Sequence, residues 1–577
     1  MRRTVGAATV ALGLWLAATG AVVAADAVVQ SASGGLLNQA RTATERRDHD
    51  AALRAYAQLL SQRPADVDLL IEAARVNGFA DRNAESARLY RQALALAPQR
   101  RADIVPSLAW QSLWSGAAAD AEVLFTELSA APGAARVDAL DGLGQARQAR
   151  GDQAGALLAF RQAHALAPDS LRLQRRLAMS LLWNGFEDQA ITELQALLRR
   201  EPGDRDLAWA LANARNFAGN HRAALRDFLR QSAPVHPGER ADLARAWRWA
   251  GYEDRAWPLL AGATDAEAVW LRDWRVWREL APFGYATVER AEDRDALVAR
   301  AAVLGGGWHP APGSTFDVQL RRLSLVDPLG DPRATQLQAS YRWRLGQATD
   351  AAGTFWPSVA LRAHHFDDWS PVTASARVTW VPHDRWRVDA EATRELVETP
   401  RAVANRVTVD VVSAGVEHRP DAQWLLAGAA ALLRFDDGNA RLRMNGRVER
   451  RLWSRPHVAL GLEASGFDRV ETATVHERGY WNPRRYAEAR VYTTVSHEMR
   501  RFDLQAKLAL GASSETDNAG NVSHGHPHLW ELGLGWDVSP GLRLRLALGG
   551  AGQGAGLGGG GSGYWRRYVN LSLNVWH

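Results

Sequence analysis

RWRVDAEA, residues Arg385–Ala392, sorts itself by parity: Trp386, Val388, Ala390 and Ala392 alternate with Arg387, Asp389 and Glu391. Successive side chains of an extended chain point to opposite sides, so one face of this stretch is apolar and the other is charged. The split recurs downstream. In RLRMNGRVER (Arg441–Arg450), Leu442, Met444 and Val448 oppose Arg441, Arg443, Asn445, Arg447 and Glu449. In RFDLQAKLAL (Arg501–Leu510), Phe502, Leu504, Leu508 and Leu510 oppose Asp503, Gln505 and Lys507. A soluble sandwich also alternates, but it rarely places arginines and carboxylates on one face of nearly every strand. A transmembrane barrel with an apolar outside and a wet lumen does so routinely.

From Pro282 to the last residue the chain keeps this alternation. Turn signals divide it into sixteen segments starting near residues 283, 293, 315, 334, 354, 371, 384, 406, 422, 439, 456, 486, 501, 527, 540 and 565. An even number suits a barrel whose two ends lie on one side of the membrane. Residues 466–484 and 513–526 read as long surface loops, and Gly549–Gly563 as a mobile hairpin loop. Trp343, Trp380, Trp386, Trp424, Trp530 and Trp536 fall near strand ends, where an interfacial girdle places them. The final YVNLSLNVWH alternates through Val569, Leu571, Leu573 and Val575 to His577, with Trp576 beside a terminal histidine where barrels usually end in phenylalanine.

Upstream the period changes. Between about residues 37 and 265 the chain is rich in Ala, Leu and Arg, and it repeats itself. Gly151, Gly185 and Gly219 are 34 residues apart; Ala156, Ala190 and Ala224 keep the step, as do Phe160, Leu194 and Phe228. Prolines 64, 98 and 132, and again 168 and 202, close the units. A 34-residue period with a small residue, an aromatic and a closing proline is the tetratricopeptide pattern. The glycine permits the turn between helices A and B, the alanine permits close approach, and the aromatic four residues on shares its face. LGQARQARGDQAGALLAFRQAHALAP (Leu143–Pro168) fits best, with Gly144 in helix A. Six to seven units are expected, enough for a continuous core. Trp110, Trp114, Trp183, Trp209, Trp247, Trp249 and Trp257 recur in this region. Core packing is the first expectation for them, with a sugar- or peptide-binding surface as the alternative.

The fold expected is thus an α-helical tetratricopeptide solenoid followed by a 16-stranded antiparallel transmembrane β-barrel. The first residues carry Arg2 and Arg3, an apolar run, and small residues Val23 and Ala25 before Asp26, the plan of a secretory signal peptide. The expected division is signal peptide 1–25, periplasmic repeats 26–265, linker helix 266–282 and barrel 283–577. With no cysteine the chain has neither a disulfide nor a lipid-modified cysteine. Net charge is +5, from 69 basic and 64 acidic residues without a Lys/Arg block, so nucleic acid is not an expected partner. The 24 tryptophans against 13 phenylalanines fit membrane interfaces and sugar-binding surfaces.

No catalytic constellation is evident, and neither enzymatic activity nor a cofactor is expected. His524, His526 and His528 read as loop histidines in preference to metal ligands, and the glycine-rich stretch lacks the Lys-Ser/Thr of a phosphate loop.

Repeats joined to a sixteen-strand barrel resemble the outer-membrane exporters of bacterial exopolysaccharides, above all the poly-β-1,6-N-acetylglucosamine export porins, with the cellulose-synthase outer-membrane subunit as a relative. Local echoes are ETPR (Glu398–Arg401), FDDGN (Phe435–Asn439) and GYWNPRRY (Gly479–Tyr486). The resemblance implies export of an exopolysaccharide for a biofilm matrix. It also implies an inner-membrane synthase and a periplasmic polysaccharide-modifying enzyme as partners, besides the outer-membrane bilayer and the barrel assembly machinery. Candidate lumen residues are Asp317, Asp389, Glu391, Asp410, Glu449, Glu463, Glu488, Asp503 and Glu531, opposed by Arg321, Arg387, Arg443, Arg447, Arg490, Lys507, Arg543 and Arg545. Interior salt bridges are the plainer role for any one of them. The competing expectations are cellulose export and a repeat-plus-barrel translocator of surface lipoproteins, a class with a barrel nearer fourteen strands.

Overall fold

The structure, a computed structural model, describes residues 34–130, 132–471, 478–553 and 559–577. The expected signal peptide lies outside the described residues. By compactness the chain forms two units, Met1–Asn184 and Gly185–His577.

In the first unit, helices from residues 34–45 to Leu171–Trp183 follow one another as A–B pairs. The helices beginning at His49, Val67, Gln153 and Leu171 each start behind a side-chain cap (Asp48, Asp66, Asp152, Ser170) that accepts from the amide three residues on. Gly116 and Gly151, with φ of +85° and +83°, make the A–B turns. Phe125 and Phe160 are fully buried. A Cβ on Gly144 would fall 2.5 Å from the Phe160 ring, and one on Gly142 2.3 Å from that of Phe125. The two glycines of this helix A are therefore the space that the aromatics of the B helices before and after it occupy.

The second unit begins with the helices Glu187–Arg200, Arg205–Phe217, His221–Arg230, Pro237–Trp249 and Glu253–Leu260, and the helical run before the barrel ends at Glu279. In chain order the described residues thus make seven A–B pairs. The barrel follows: β1 (Phe283–Asp293), β2 (Val298–Trp308), β3 (Thr315–Val326), β4 (Arg333–Arg342), β5 (Thr354–His365), β6 (Val372–His383), β7 (Trp386–Leu396) and β8 (Thr408–His418). It continues with β9 (Trp424–Phe435), β10 (Ala440–Ser454), β11 (His457–Glu471), β12 (Arg485–Glu498), β13 (Phe502–Thr516), β14 (Val522–Gly525, resumed at His528–Ser539), β15 (Leu542–Gly552) and β16 (Trp565–Trp576). Every pairing is antiparallel between neighbours, and β1 pairs with both β2 and β16, which closes the sheet. The outer face exposes Val288, Leu304, Leu361, Met444, Leu462 and Leu510. Trp308, Trp380, Trp386, Trp424, Trp453 and Trp536 stand exposed at the end of the barrel where β1 begins and β16 ends, called here the near end. An apolar outer band edged with tryptophan is a membrane-facing wall. Among the described residues no helix is long and apolar enough to cross a membrane.

The second unit breaks from the first inside the repeat array because its helices are bonded to near-end turns of the barrel. Ser454 Oγ donates to Gly185 O at 3.2 Å, and Arg451 pairs with Glu187 at 2.8 Å. Asp384 accepts from the amides of Arg222 and Ala223 at 2.8 and 3.0 Å, capping His221–Arg230 from the barrel side. Tyr252 donates to Gly346 O at 3.0 Å, and Arg344 pairs with Asp254 at 2.8 Å. Arg275 and Arg278 reach Asp537 at 3.2 and 2.6 Å.

Three expectations about strand limits are revised. β2 starts at Val298, because β1 runs on to Asp293 and Arg294–Leu297 make the turn. β11 and β13 extend to Glu471 and Thr516, so the loops there are shorter than alternation suggested. The first part of the glycine stretch is strand: β15 runs to Gly552, and Gly550 and Gly552 leave room for the Trp530 and His528 rings on β14.

Candidate functional site: the barrel lumen

Inward positions of the barrel carry the charges that parity assigned to one face. On β7, Arg387 pairs with Asp389 at 2.8 Å, and Arg377 of β6 lies 3.6 Å from Asp389 and 3.9 Å from Glu391. On β11, Glu463 meets Lys507 at 2.7 Å and Arg490 at 2.9 Å, and Arg490 also reaches Glu488 at 3.3 Å. Arg447 lies 3.5 Å from Glu417, and Arg545 donates to Gln505 at 3.3 Å. Arg543 bonds Asp503 and lies 3.3 Å from Asp537. Arg321 reaches Glu398 at 2.7 Å. Arg443 stands exposed on the inward face between Arg441 and Asn445. Asp317, Glu449 and Glu531 take a different partner: each accepts from a tyrosine, Tyr285, Tyr492 and Tyr568, at 3.1, 3.0 and 3.2 Å.

Two water-accessible spaces lie along this wall. One of about 960 Å³ is lined by residues including Glu289, Arg321, Arg362, Glu391, Glu395 and Tyr568. Another of about 460 Å³ is lined by Asp389, Glu417, Arg447, Glu463, Glu488 and Arg490 among others. Cations and carboxylates alternate around both, so the lumen is highly charged and locally neutralised.

The far end of the barrel is built differently. The β7–β8 connection carries a short helix, Pro400–Ala404, and its Val403 packs with Ala301, Leu323, Leu325 and Ala334. Thr399 donates to Gly479 O at 2.6 Å. Tyr480 stacks on Phe435 with centroids 4.2 Å apart and donates to Asp437 at 2.6 Å, while Asn439 donates to Tyr480 Oη at 2.7 Å. The ETPR, FDDGN and GYWNPRRY segments, far apart in sequence, therefore meet in one buried cap. Arg441 lies beneath it, 2 % exposed, with its guanidinium 4.9, 4.7 and 5.3 Å from the Phe435, Phe467 and Tyr480 rings.

This is the segment a family model recognises. Residues 328–525 match the PgaA membrane beta barrel domain. Over these residues the barrel is similar to that domain. Among solved structures, a bacterial polysaccharide outer membrane secretin is similar at 15% identity, over 52% of this chain and 99% of that one, with a TM-score of 0.41. A tetratricopeptide repeat protein from Parabacteroides merdae is similar at 15% identity, over 42% and 98%, with a TM-score of 0.35. No curated protein matches the chain. The barrel lies in the outer membrane, and the helices of the second unit bonded to its near-end turns are periplasmic, so the near end is periplasmic and the far end extracellular.

One candidate lumen residue is misplaced by parity. Asp410 faces outward and pairs with Arg394 at 2.7 Å, both side chains more than half exposed. The inward positions of that part of β8 are Val409 and Val411, buried against Val397, Ala402 and Tyr480 of the cap. The cap demands an apolar interior there, which inverts the usual parity. Sequence reasoning also passed over Glu398, Glu417, Tyr285 and Tyr568. Glu417 was in phase with the strand, whereas Glu398 follows the end of β7 and carried no alternation signal.

In the repeats, Gly151, Gly185 and Gly219 all take positive φ at A–B turns, and Ala156, Phe160, Ala190, Ala224 and Phe228 are buried. Trp209 is buried, whereas Trp114, Trp183, Trp249 and Trp257 stand exposed. Burial pushes the His221 imidazole, at the capped helix start, down to about 4.

Proposed function

We propose that this protein exports a linear exopolysaccharide across the outer membrane, acting as a conduit and not as an enzyme. The observation that carries the reading is the match of residues 328–525 to the PgaA barrel domain, over a lumen whose inward face is charged on most strands. A neutral or weakly cationic glycan needs a hydrated path with many weak contacts and no deep trap. Carboxylates already shared with guanidinium groups or tyrosines offer such contacts, because each can accept from a passing hydroxyl or amine without a large desolvation cost.

The polymer we favour is poly-β-1,6-N-acetylglucosamine, partly de-acetylated, for a biofilm matrix. An inner-membrane synthase would supply it, and the repeats would serve as the periplasmic docking scaffold for a modifying enzyme. The acidic candidates Asp317, Asp389, Glu391, Glu449, Glu463, Glu488, Asp503 and Glu531 would line its path, with Arg387, Arg443, Arg447, Arg543 and Arg545 keeping the wall locally neutral. A signal peptide over residues 1–25 would bring the chain to the envelope, and the barrel assembly machinery would insert it. Cellulose remains the second polymer. Sixteen strand positions favour either glycan over surface lipoproteins as cargo.

The test is the amount and sugar composition of surface polysaccharide in a strain lacking this gene, beside its complemented parent. Loss of a hexosamine polymer from the surface with retention in the periplasm is expected. Loss of a glucose polymer would move the substrate to cellulose, and an unchanged surface glycan would remove the export reading.

A further inference from the structure

Near the periplasmic end of β1, Phe283 and Tyr285 take successive inward positions, with rings 6.3 Å apart and within 16° of parallel. Neither ring stands off the wall. A Cβ built on Gly305 would fall 2.4 Å from the Tyr285 ring, and one on Gly307 would fall 2.7 Å from the Phe283 ring. The two rings thus lie flat on a stretch of β2 that only glycine leaves low enough. Tyr285 Oη lies 3.2 and 3.1 Å from the two carboxylate oxygens of Asp317 and 3.1 Å from Gln319 Oε1. The result is a flat apolar shelf, partly exposed, with a carboxylate and a carboxamide at its edge.

The construction recurs twice. Tyr568 lies over Gly549, where a Cβ would be 2.3 Å from its ring, donates to Glu531 at 3.2 Å and lines the larger lumen space. Tyr492 lies over Gly461 in the same way and donates to Glu449 at 3.0 Å. This third face is already taken. The Lys507 ammonium sits 4.5 Å from the Tyr492 ring centroid while bonded to Glu463 at 2.7 Å, and the ring is only 2 % exposed. The chain itself shows what settles on such a shelf: an ammonium held between an aromatic face and a carboxylate.

We propose that Phe283–Tyr285 with Asp317, and Tyr568 with Glu531, are stacking subsites for sugar rings of an amino-sugar polymer. A β-linked pyranose offers a flat C–H face to the ring, and its amine or hydroxyl reaches the neighbouring carboxylate. The inference rests on the polysaccharide-export reading and gives that reading a recognition chemistry. Both shelves are open, so each holds a sugar weakly and releases it, as a conduit requires. An aromatic laid over glycine also firms up strand pairing, and the test has to separate the two roles.

The full chain, purified in detergent micelles, is titrated with a β-1,6-linked glucosamine oligomer, its fully N-acetylated form and a cello-oligosaccharide, read by calorimetry and saturation-transfer NMR. Heat-modifiable gel mobility reports barrel integrity. Tyr285→Ala and Tyr568→Ala each weaken binding of the glucosamine oligomer about fivefold. Tyr285→Phe, which keeps the ring on its glycine, weakens it by less than the alanine change. Lys507→Ala uncovers the third shelf and tightens binding. Unchanged affinity in folded tyrosine-to-alanine variants overturns the subsites and leaves export standing. If those variants fail to fold, Lys507→Ala decides, and no tightening overturns the proposal. Failure of the unaltered protein to bind any of the three oligomers strikes at the export reading itself.

Discussion

The two ends of the barrel wall are finished by opposite means. At the periplasmic end the strand turns are held by helices through charge: Asp384 caps a helix, Arg344 pairs with Asp254, and Arg275 and Arg278 converge on Asp537. At the extracellular end the chain closes on itself. Val397, Ala402, Val407, Val409 and Tyr480 form an apolar cluster over the wall, and Arg441 at its base is held largely by aromatic faces. These ion pairs are largely buried, so salt screens them little. What separates the two ends is the cost of a lost partner: a buried charge left without its counter-charge at one, a packing defect at the other.

Asp537→Ala should show the largest effect. Asp537 is 3 % exposed and is approached by Arg275, Arg278 and Arg543, so its loss leaves guanidinium groups buried without their counter-charge. Removing one partner of a buried pair costs about 3 kcal/mol. The expected readout is faster amide exchange across residues 266–280, with exchange in the cap unchanged. Protection in 266–280 equal to that of the parent would mean that the carbonyls of Ser539 and Pro540, which Arg278 also bonds, hold the segment alone.

Arg441→Ala probes the other end and should cost about 2 kcal/mol, from three cation–π faces and the bonds to Trp481 O and Asn482. Its consequence is local. Cells carrying the variant should become more sensitive to a large hydrophilic antibiotic, and the reconstituted protein should conduct more, with heat-modifiable mobility unchanged. Unaltered conductance in a folded variant would show that the apolar cluster closes the mouth without its cation.

This contrast also explains what the sequence made legible. The wall was readable because a barrel in lipid has one dry and one wet face, and alternation records both. The repeats were readable because Gly144 and Phe160 share one volume, and such pairs leave a period. The ends were not readable in the same way. The cap reverses parity at Val409 and Val411, which sent Asp410 to the wrong face. The docking of the last repeats pairs residues more than a hundred positions apart, such as Arg222 with Asp384. No local pattern encodes such a pair. The lumen carboxylates were found by phase alone, whereas their tyrosine partners, Tyr285 and Tyr568, needed the register across two neighbouring strands.

Asp384→Ala is the mildest change and the sharpest test of docking. Its two oxygens accept from the amides of Arg222 and Ala223, so a barrel residue does what an N-cap normally does within its own helix. Loss of an N-cap costs about 1 kcal/mol. Amides at the start of His221–Arg230 should exchange faster in the variant, while those of Arg205–Phe217 do not change. Acid should work in the same direction. The His221 imidazole, held down to about 4 by burial, is neutral when folded and gains a proton in the opened state below about 6.5. The opened state binds more protons in that window, so the helix start loses stability as pH falls from about 6.5 towards 4. Asp384 is a charge that favours the protonated ring, so its removal should lower the His221 pKa further and extend the loss to lower pH. An imidazole that titrates at its parental position in the variant would show that the docked carboxylate does not reach the ring electrostatically, and that the barrel holds this helix through the two amide bonds alone.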